Sequence, residues 1–429
     1  MEFSGTLILI GAVLTLLWLF KSRRRLALPP GPSALPIIGN VLQMDKRAPF
    51  KTMLKLSDKY GSVMTMYLGP QRTVILLGYD AVKEALVDQA DDFTGRGPIP
   101  LLFKASKGYG LGVSNGECWQ QLRRFTLTTL RDFGMGRKGM EEWIQEESSH
   151  LVGCIKKMNA KPFDPTFFLS CTVSNVICCL VFGQRFSYDD KHFLYLLQII
   201  SDTLKFGSSS QGQEKHIPTS QFHYDNLVST VLNLYLAGTE TTSSTIRYAL
   251  NVLIKYPKIQ ETIQQEIDTV VGQRCPCMED KKSLPYTDAV LHEIQRFLDI
   301  IPLSIPHYAL HDISFRGYTI PKDTLIIPLL HSVLKDEKRW ATPWSFNPQH
   351  FLDNNGNFKK NPAFLPFSAG KRSCVGESLA RMEIFLFLVS LLQHFTFFCP
   401  GGPDSIDLSP EYSGFANVPR RYTIIATPR

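Results

Sequence analysis

Phe367-Ser368-Ala369-Gly370-Lys371-Arg372-Ser373-Cys374-Val375-Gly376 is the most informative stretch of this 429-residue chain. One cysteine stands in a short loop with a glycine on each side, two cations just before it and an apolar helical pattern over residues 378–392 after it. Each feature suits a thiolate that ligates a metal ion. Such a sulfur needs room, shelter from water and donors that temper its charge. Gly370 and Gly376 allow a tight turn and a close backbone approach. Phe367 covers the loop, and free N–H groups at the start of the next helix favour negative sulfur. The other cysteines lack this setting. Among nine in all, Cys178 and Cys179 sit together in an apolar run, and Cys275 and Cys277 lie in a polar loop with no second pair at ligand spacing. The odd, low count fits a reducing compartment.

Working outward from the loop, helical patterns dominate. Residues 222–255 run without proline to Tyr256-Pro257, roughly 50 Å as one helix, enough to cross a whole domain. Further helices are expected over 50–59, 116–131, 140–157, 171–182, 192–206, 259–271 and 287–297. Asp80 is the expected N-cap of a helix over 81–87. Strands are expected over 63–68 and 73–77, around the turn at Gly69-Pro70, and near Phe315 and 325–328. Hydrophobic residues at 44% against 20% charged exclude a disordered chain. The fold class is mainly α with a minor β portion, in one large domain without internal repeats.

The N-terminus carries a different signal. Residues 3–20 are uncharged and rich in Leu, Ile and Val, and as a helix would span roughly 27 Å, close to a thin bilayer. Lys21, Arg23, Arg24 and Arg25 follow, and positive charge of this kind stays cytoplasmic. A cleaved leader would place its charges before the apolar run, so an uncleaved transmembrane anchor is expected. Pro29-Pro30-Gly31-Pro32 and Pro36 then end the helix in a stiff elbow. The expected organisation is an anchor over 3–20, a basic and proline-rich linker over 21–36, and a catalytic domain over 37–429. The net charge of +7 suits an acidic partner or an anionic membrane surface. No dense Lys/Arg run with interleaved aromatics points to nucleic acid.

Upstream of the loop, Glu293 and Arg296 stand three apart on one helix face in Glu293-Ile294-Gln295-Arg296, a pair worth little at a surface. With the cysteine loop, however, it completes a pattern. The loop resembles the haem-ligand signature F-x-x-G-x-R-x-C-x-G of cytochrome P450 enzymes at every defined position, and the helix pair resembles the family's E-x-x-R. Pro343, Phe346, Pro348, His350 and Phe351 are similar to the segment between them, with His350 in place of the more usual arginine. Ala237-Gly238-Thr239-Glu240-Thr241-Thr242 looks like family 2 of the microsomal enzymes.

The resemblance implies a cytochrome P450 fold and a haem-thiolate monooxygenase that inserts one oxygen atom from O2 into an apolar substrate (lipid, steroid or xenobiotic). Cys374 becomes the axial ligand of heme b, iron protoporphyrin IX. Arg96, Trp119, Arg123, His307, Phe367, Arg372 and Gly376 become its surroundings, cations meeting the propionates. Thr241 and Glu240 resemble the proton-delivery pair, and Gly238 and Thr241 would widen the long helix over the iron. Mid-helix threonine otherwise bonds its own i−4 carbonyl. Glu293, Arg296 and His350 take structural roles. Implied pocket residues are Leu102, Phe103, Leu236, Ala237, Ile301, Leu303, Ile305 and Phe415.

Without a Gly-rich dinucleotide fingerprint, NADPH is expected on a partner, NADPH-cytochrome P450 reductase, with cytochrome b5 as a second donor. Arg123, Arg124, Lys371 and Arg420 are the candidate docking cations. The expected location is the endoplasmic reticulum membrane, with the catalytic domain cytosolic. In one respect the chain departs from the family: over about 207–221 it is several dozen residues short, where members carry roof helices of the pocket. Losing that lid exposes apolar surface and admits water. Two rival readings follow, a haem-binding but poorly active shortened variant and a non-haem, membrane-tethered binding protein.

Overall fold

The computed structural model describes residues 27–45, 48–97, 106–132, 138–206, 224–414 and 416–429. The expected anchor over 3–20, the basic cluster, the shortened stretch, Leu102, Phe103 and Phe415 lie outside these residues. Among the described residues no helix is long and apolar enough to cross a membrane. The proline stretch is fastened to the body. Thr65 N–H donates to Pro30 O at 2.9 Å and Thr319 N–H to Ala27 O at 2.8 Å.

Helix α1 (Pro49–Tyr60) leads into strands β1 (Val63–Leu68) and β2 (Gln71–Leu76), then α2 (Gly78–Lys83), which continues as a π-helical turn over Glu84–Asp88. Helices α3 (Gly116–Asp132), α4 (Lys138–Lys156), α5 (Thr166–Phe182), α6 (Lys191–Phe206), α7 (Tyr224–Lys255), α8 (Pro257–Val270) and α9 (Pro285–Leu298) follow. After them come β3 (His307–Tyr308), β4 (Ile313–Phe315), β5 (Tyr318–Ile320), β6 (Leu325–Pro328), α10 (Leu330–Leu334), α11 (Glu377–His394), β7 (Phe395–Phe398), β8 (Pro410–Ser413), β9 (Asn417–Pro419) and β10 (Ile425–Pro428).

Local chemistry explains the boundaries. Proline opens α1, α8 and α9 at the first turn, where its missing N–H costs nothing. Gly183 closes α5 in the left-handed region at φ 71°, its N–H bonded to Cys179 O at 3.0 Å. Asp80 does not cap α2, whose N-cap is Leu77. The chain enters the helix three residues earlier than expected, so Asp80 falls within its first turn and pairs with Arg339 at 2.6 Å.

One core lies among α4, α5, α7, α8, α9 and α11. Helix α5 is apolar nearly all round and therefore buried, from Leu169 to Leu180. It packs on α7 through Gly238, where an added Cβ would lie 2.6 Å from Ile177 Cδ1. The helix is unbroken α from 224 to 255. Gly238 thus admits a neighbouring side chain here, where a widened turn was expected. The second core packs around a four-stranded sheet of order β1-β2-β6-β3, in which only β2 and β6 run parallel. The cysteine loop joins the two layers. An added Cβ at Gly370 would sit 1.6 Å from Leu86 O, and its φ is 72°, so only glycine fits where the loop crosses the end of α2.

Candidate active site

The loop closes on itself before α11 begins. Cys374 N–H donates to Phe367 O at 3.0 Å and Ser373 N–H to Gly370 O at 3.1 Å. Arg381 holds Phe367 from below, its guanidinium 5.1 Å from the ring centroid. The cysteine side chain is exposed, yet it lies deep among protein atoms, the setting of a group on an internal hollow. Burial pushes its thiol pKa up and Glu377 adds to this, while the Gly376 N–H and Arg123 oppose it. Gly376 serves through that N–H. A methyl group there would stand 4.0 Å from the sulfur, an ordinary contact, so crowding is not what requires glycine at this position.

Four sequence-predicted residues and the loop arginine gather beside the sulfur. Arg123 Nη2 donates to Ser373 O at 2.7 Å, tying α3 to the loop. Arg372 is buried and lies over the Trp119 ring at 3.9 Å, with donors to Thr94 O at 2.8 Å and Ser114 O at 2.6 Å. Arg96 donates through Nη1 to Ile305 O at 2.8 Å and Pro306 O at 2.9 Å. His307 bonds Phe93 O through Nδ1. Asn115, unmarked in the sequence reading, exchanges two bonds of 2.7 Å with the Arg96 backbone and stands 3.5 Å from Arg372 Nη2. Its only signal was its place just before Gly116 at a helix start.

This group has cations and no anion of its own. Burial and mutual repulsion push Arg372 down to about 8 and Arg96 down to about 9. Burial and Arg96 hold His307 well below its ordinary 6.5. Arg96 Nε, Trp119 Nε1 and His307 Nε2 are buried without a hydrogen-bond partner. Each such atom costs about 1–3 kcal/mol. Two carboxylates, such as a haem carries, would meet the Arg and Trp donors, so the residues fit that group. His307 differs in one respect. With its hydrogen on Nδ1 facing a carbonyl, the neutral ring presents a lone pair at Nε2, and it donates to a carboxylate only after gaining a proton.

The structural triad is saturated. Arg296 and Glu293 are both 0% exposed and joined by two bonds of 2.7 Å. The remaining Arg296 donors go to Leu334 O, Pro343 O and Ser345 O. Glu293 also accepts from Asn347 N–H at 2.7 Å and stands 3.1 Å from His350 Nδ1. Thr342 N–H donates to His350 Nε2, which leaves Nδ1 as the protonated nitrogen facing Glu293. His350 thus does the work of a donor in the place of arginine.

On α7, Thr241 Oγ1 donates to Ala237 O at 2.6 Å, the i−4 bond open to any mid-helix threonine. Glu240, about 100° round the helix, lines a cleft of about 610 Å³ with Arg247, Leu194, Leu197 and Tyr412. The two residues therefore face different ways. Of the pocket candidates, Ala237 is exposed, while Leu236 packs on the helical core and Leu303 on the cluster around Met53 and Ile327. Ile301, Leu303 and Ile305 are half-buried and alternate with buried Pro302 and Ser304. Of the docking cations, Lys371 pairs with Asp91, Arg420 pairs with Asp407 at 3.0 Å, and Arg124 is exposed.

Comparison with known proteins adds an independent line. The family model described as Cytochrome P450 matches residues 29–214 and 204–426. The chain is 44% identical to "Cytochrome P450 2F2" of Rattus norvegicus over 481 residues, covering 98% of each protein. It is 47% identical to "Cytochrome P450 2G1" of Rattus norvegicus over 457 residues, covering 92% of each. It is 43% identical to "Cytochrome P450 2A13" of Homo sapiens over 485 residues, covering 99% of this chain and 98% of that one.

Proposed function

Since the chain belongs to the cytochrome P450 family and is a haem-thiolate monooxygenase, we propose that Cys374 is the iron's axial ligand and that heme b lies against Arg96, Trp119, Arg123, His307 and Arg372. The single observation that carries this is the buried donor cluster beside the sulfur, cationic and short of partners. When bound, the haem supplies activation of O2 for insertion into a C–H bond. The chain's own residues do the rest. Arg96, Arg123 and Arg372 hold carboxylates, Trp119 donates one N–H, and His307 joins them on taking up a proton. Gly376 N–H lowers the basicity of the sulfur. Thr241, on turning its hydroxyl from Ala237 O, hands on protons, and Glu240 supplies them after its side chain swings round from the cleft lined by Arg247 and Tyr412.

The substrate is an apolar lipid, steroid or xenobiotic, bounded by Leu236, Ala237, Ile301, Leu303, Ile305 and, outside the described residues, Leu102, Phe103 and Phe415. Electrons come singly from NADPH-cytochrome P450 reductase, with cytochrome b5 as a second donor. An anchor over 3–20 holds the catalytic domain on the cytosolic face of the endoplasmic reticulum. Haem dimethyl ester tests the carrying observation. With its carboxylates masked it should bind at least tenfold more weakly than haem, and equal affinity would refute the assigned donors.

A second reading is favoured by one observation. The family model matches in two pieces that meet within 204–214, and the alignment to the 2F2 protein spans 481 residues against 429 in this chain. These support a shortened pocket roof and a haem protein of low turnover. NADPH consumption and product formation with added reductase separate the two readings.

A further inference from the structure

A buried histidine reaches the cysteine loop from behind, through contacts that the haem assignment does not use. Helix α9 places Asp288 and His292 one turn apart on one face. His292 is 8% exposed, and its ring centroid lies 4.6 Å from that of Phe358 and 4.9 Å from that of Phe364. Its Nδ1 stands 2.8 Å from Asp288 O and 3.0 Å from an Asp288 carboxylate oxygen, which Lys281 also reaches at 2.5 Å. Its Nε2 faces Arg381 Nη1 at 2.8 Å. A guanidinium only donates, so Nε2 accepts, the hydrogen sits on Nδ1 and the ring is neutral. The seat is tight. The hollow among Lys281, Asp288, His292, Gln295 and Arg381 measures about 10 Å³, room for no more than one water.

Arg381, held in this way, touches two groups that act on the sulfur. Its guanidinium stands 5.1 Å from the Phe367 ring centroid and 5.2 Å from that of Phe364. Phe367 in turn accepts the Cys374 N–H on its carbonyl at 3.0 Å. Arg381 Nε and Nη2 each lie 2.9 Å from Glu377 Oε1, and Glu377 is the carboxylate whose charge opposes negative charge on the sulfur. We infer that Arg381 and His292 are positioning residues that set the reduction potential of the haem iron, Arg381 by fixing Phe367 and balancing Glu377, His292 by holding Arg381. Neither needs to touch the sulfur. The inference rests on Cys374 as the iron's ligand, and the closing experiment separates the two.

The full-length haem protein is poised against redox dyes and its ferrous fraction is read optically. Arg381→Met leaves Glu377 unpaired and should lower the ferrous-to-ferric ratio at fixed potential about tenfold, a fall of about 59 mV for one electron. His292→Leu frees Arg381 to turn towards water and should lower the ratio about threefold. His292→Gln, whose Oε1 accepts from Arg381 in place of the ring nitrogen, should bring it to within about 1.5-fold of wild type. A merely structural role would lower the urea midpoint and leave the potential alone. A ratio within about 1.5-fold of wild type in both Arg381→Met and His292→Leu would overturn the inference while leaving the haem site standing. So would a loss in His292→Leu that glutamine fails to restore. Should Arg381→Met lose its haem, the His292 pair decides on the same criterion. If reduced wild-type protein under carbon monoxide lacks the Soret band of a thiolate-ligated haem, the ligand assignment fails and the inference fails with it.

Discussion

Replacing Glu293 with alanine is the sharpest test of how the haem-bearing body is held together. Glu293 stands at the meeting of four donors: two from Arg296, one from the Asn347 backbone and one from His350. Both ends of the ion pair are 0% exposed, so water cannot take the lost partner's place. Breaking a buried pair from one side costs about 3–5 kcal/mol, because an uncompensated charge stays inside. The stranded N–H groups of Asn347 and His350 add about 1 kcal/mol or more each where no water enters. A typical domain has only about 5–15 kcal/mol in hand. Glu293→Ala should therefore unfold at much lower urea, followed by far-ultraviolet circular dichroism, and release haem in the same transition. Glu293→Gln should be nearly as damaging, since its amide turns donors against donors. A double-mutant cycle with Arg296→Ala should give a coupling energy of about 2 kcal/mol or more. A loss below about 1 kcal/mol, or a coupling near zero, would refute this reasoning.

Three further outcomes are expected. Gly370→Ala meets both a forbidden φ and the Leu86 carbonyl, and should lose several kcal/mol of stability and most bound haem, read by urea midpoint and haem content. Trp119→Phe keeps the ring beneath Arg372 but removes the unpartnered Nε1–H. It should hold the haem-free fold at wild-type stability or above while haem dissociates about tenfold faster in a transfer assay. Lys335 is pushed by burial from its ordinary 10.5 to about 8. Between those values the unfolded chain binds a proton that the folded chain does not, so stability rises with pH. Relative to Lys335→Met, wild type should gain up to about 1.4 kcal/mol per pH unit from pH 8 to 10.5, measured as the difference in urea stability.

Much of the fold could be read from residue patterns because the punctuation was strong. Tyr256-Pro257 ended the long helix, the strand over 325–328 was bounded as the structure has it, and the apolar run from 171 is a helix largely buried as far as Leu180. What stayed hidden depended on contacts distant in sequence. Glu293 and Arg296 look like a weak surface pair until Leu334, Pro343 and Asn347 are folded onto them from about 40 to 55 residues away. Asp80 has the chemistry of a cap, but the chain entered its helix at Gly78. At Gly238 and Gly376 the neighbours that matter, Ile177 and the Cys374 sulfur, set different reasons from those expected. The hydrogen on His307 could not be placed before Phe93 O was found beside Nδ1.

The bond between the Cys374 sulfur and iron is tested most directly by the optical spectrum of the reduced protein under carbon monoxide. Wild-type protein should show the long-wavelength Soret band of a thiolate-ligated haem, and Cys374→Ser should lose that band even where pigment remains. An unchanged band in Cys374→Ser would contradict the assignment.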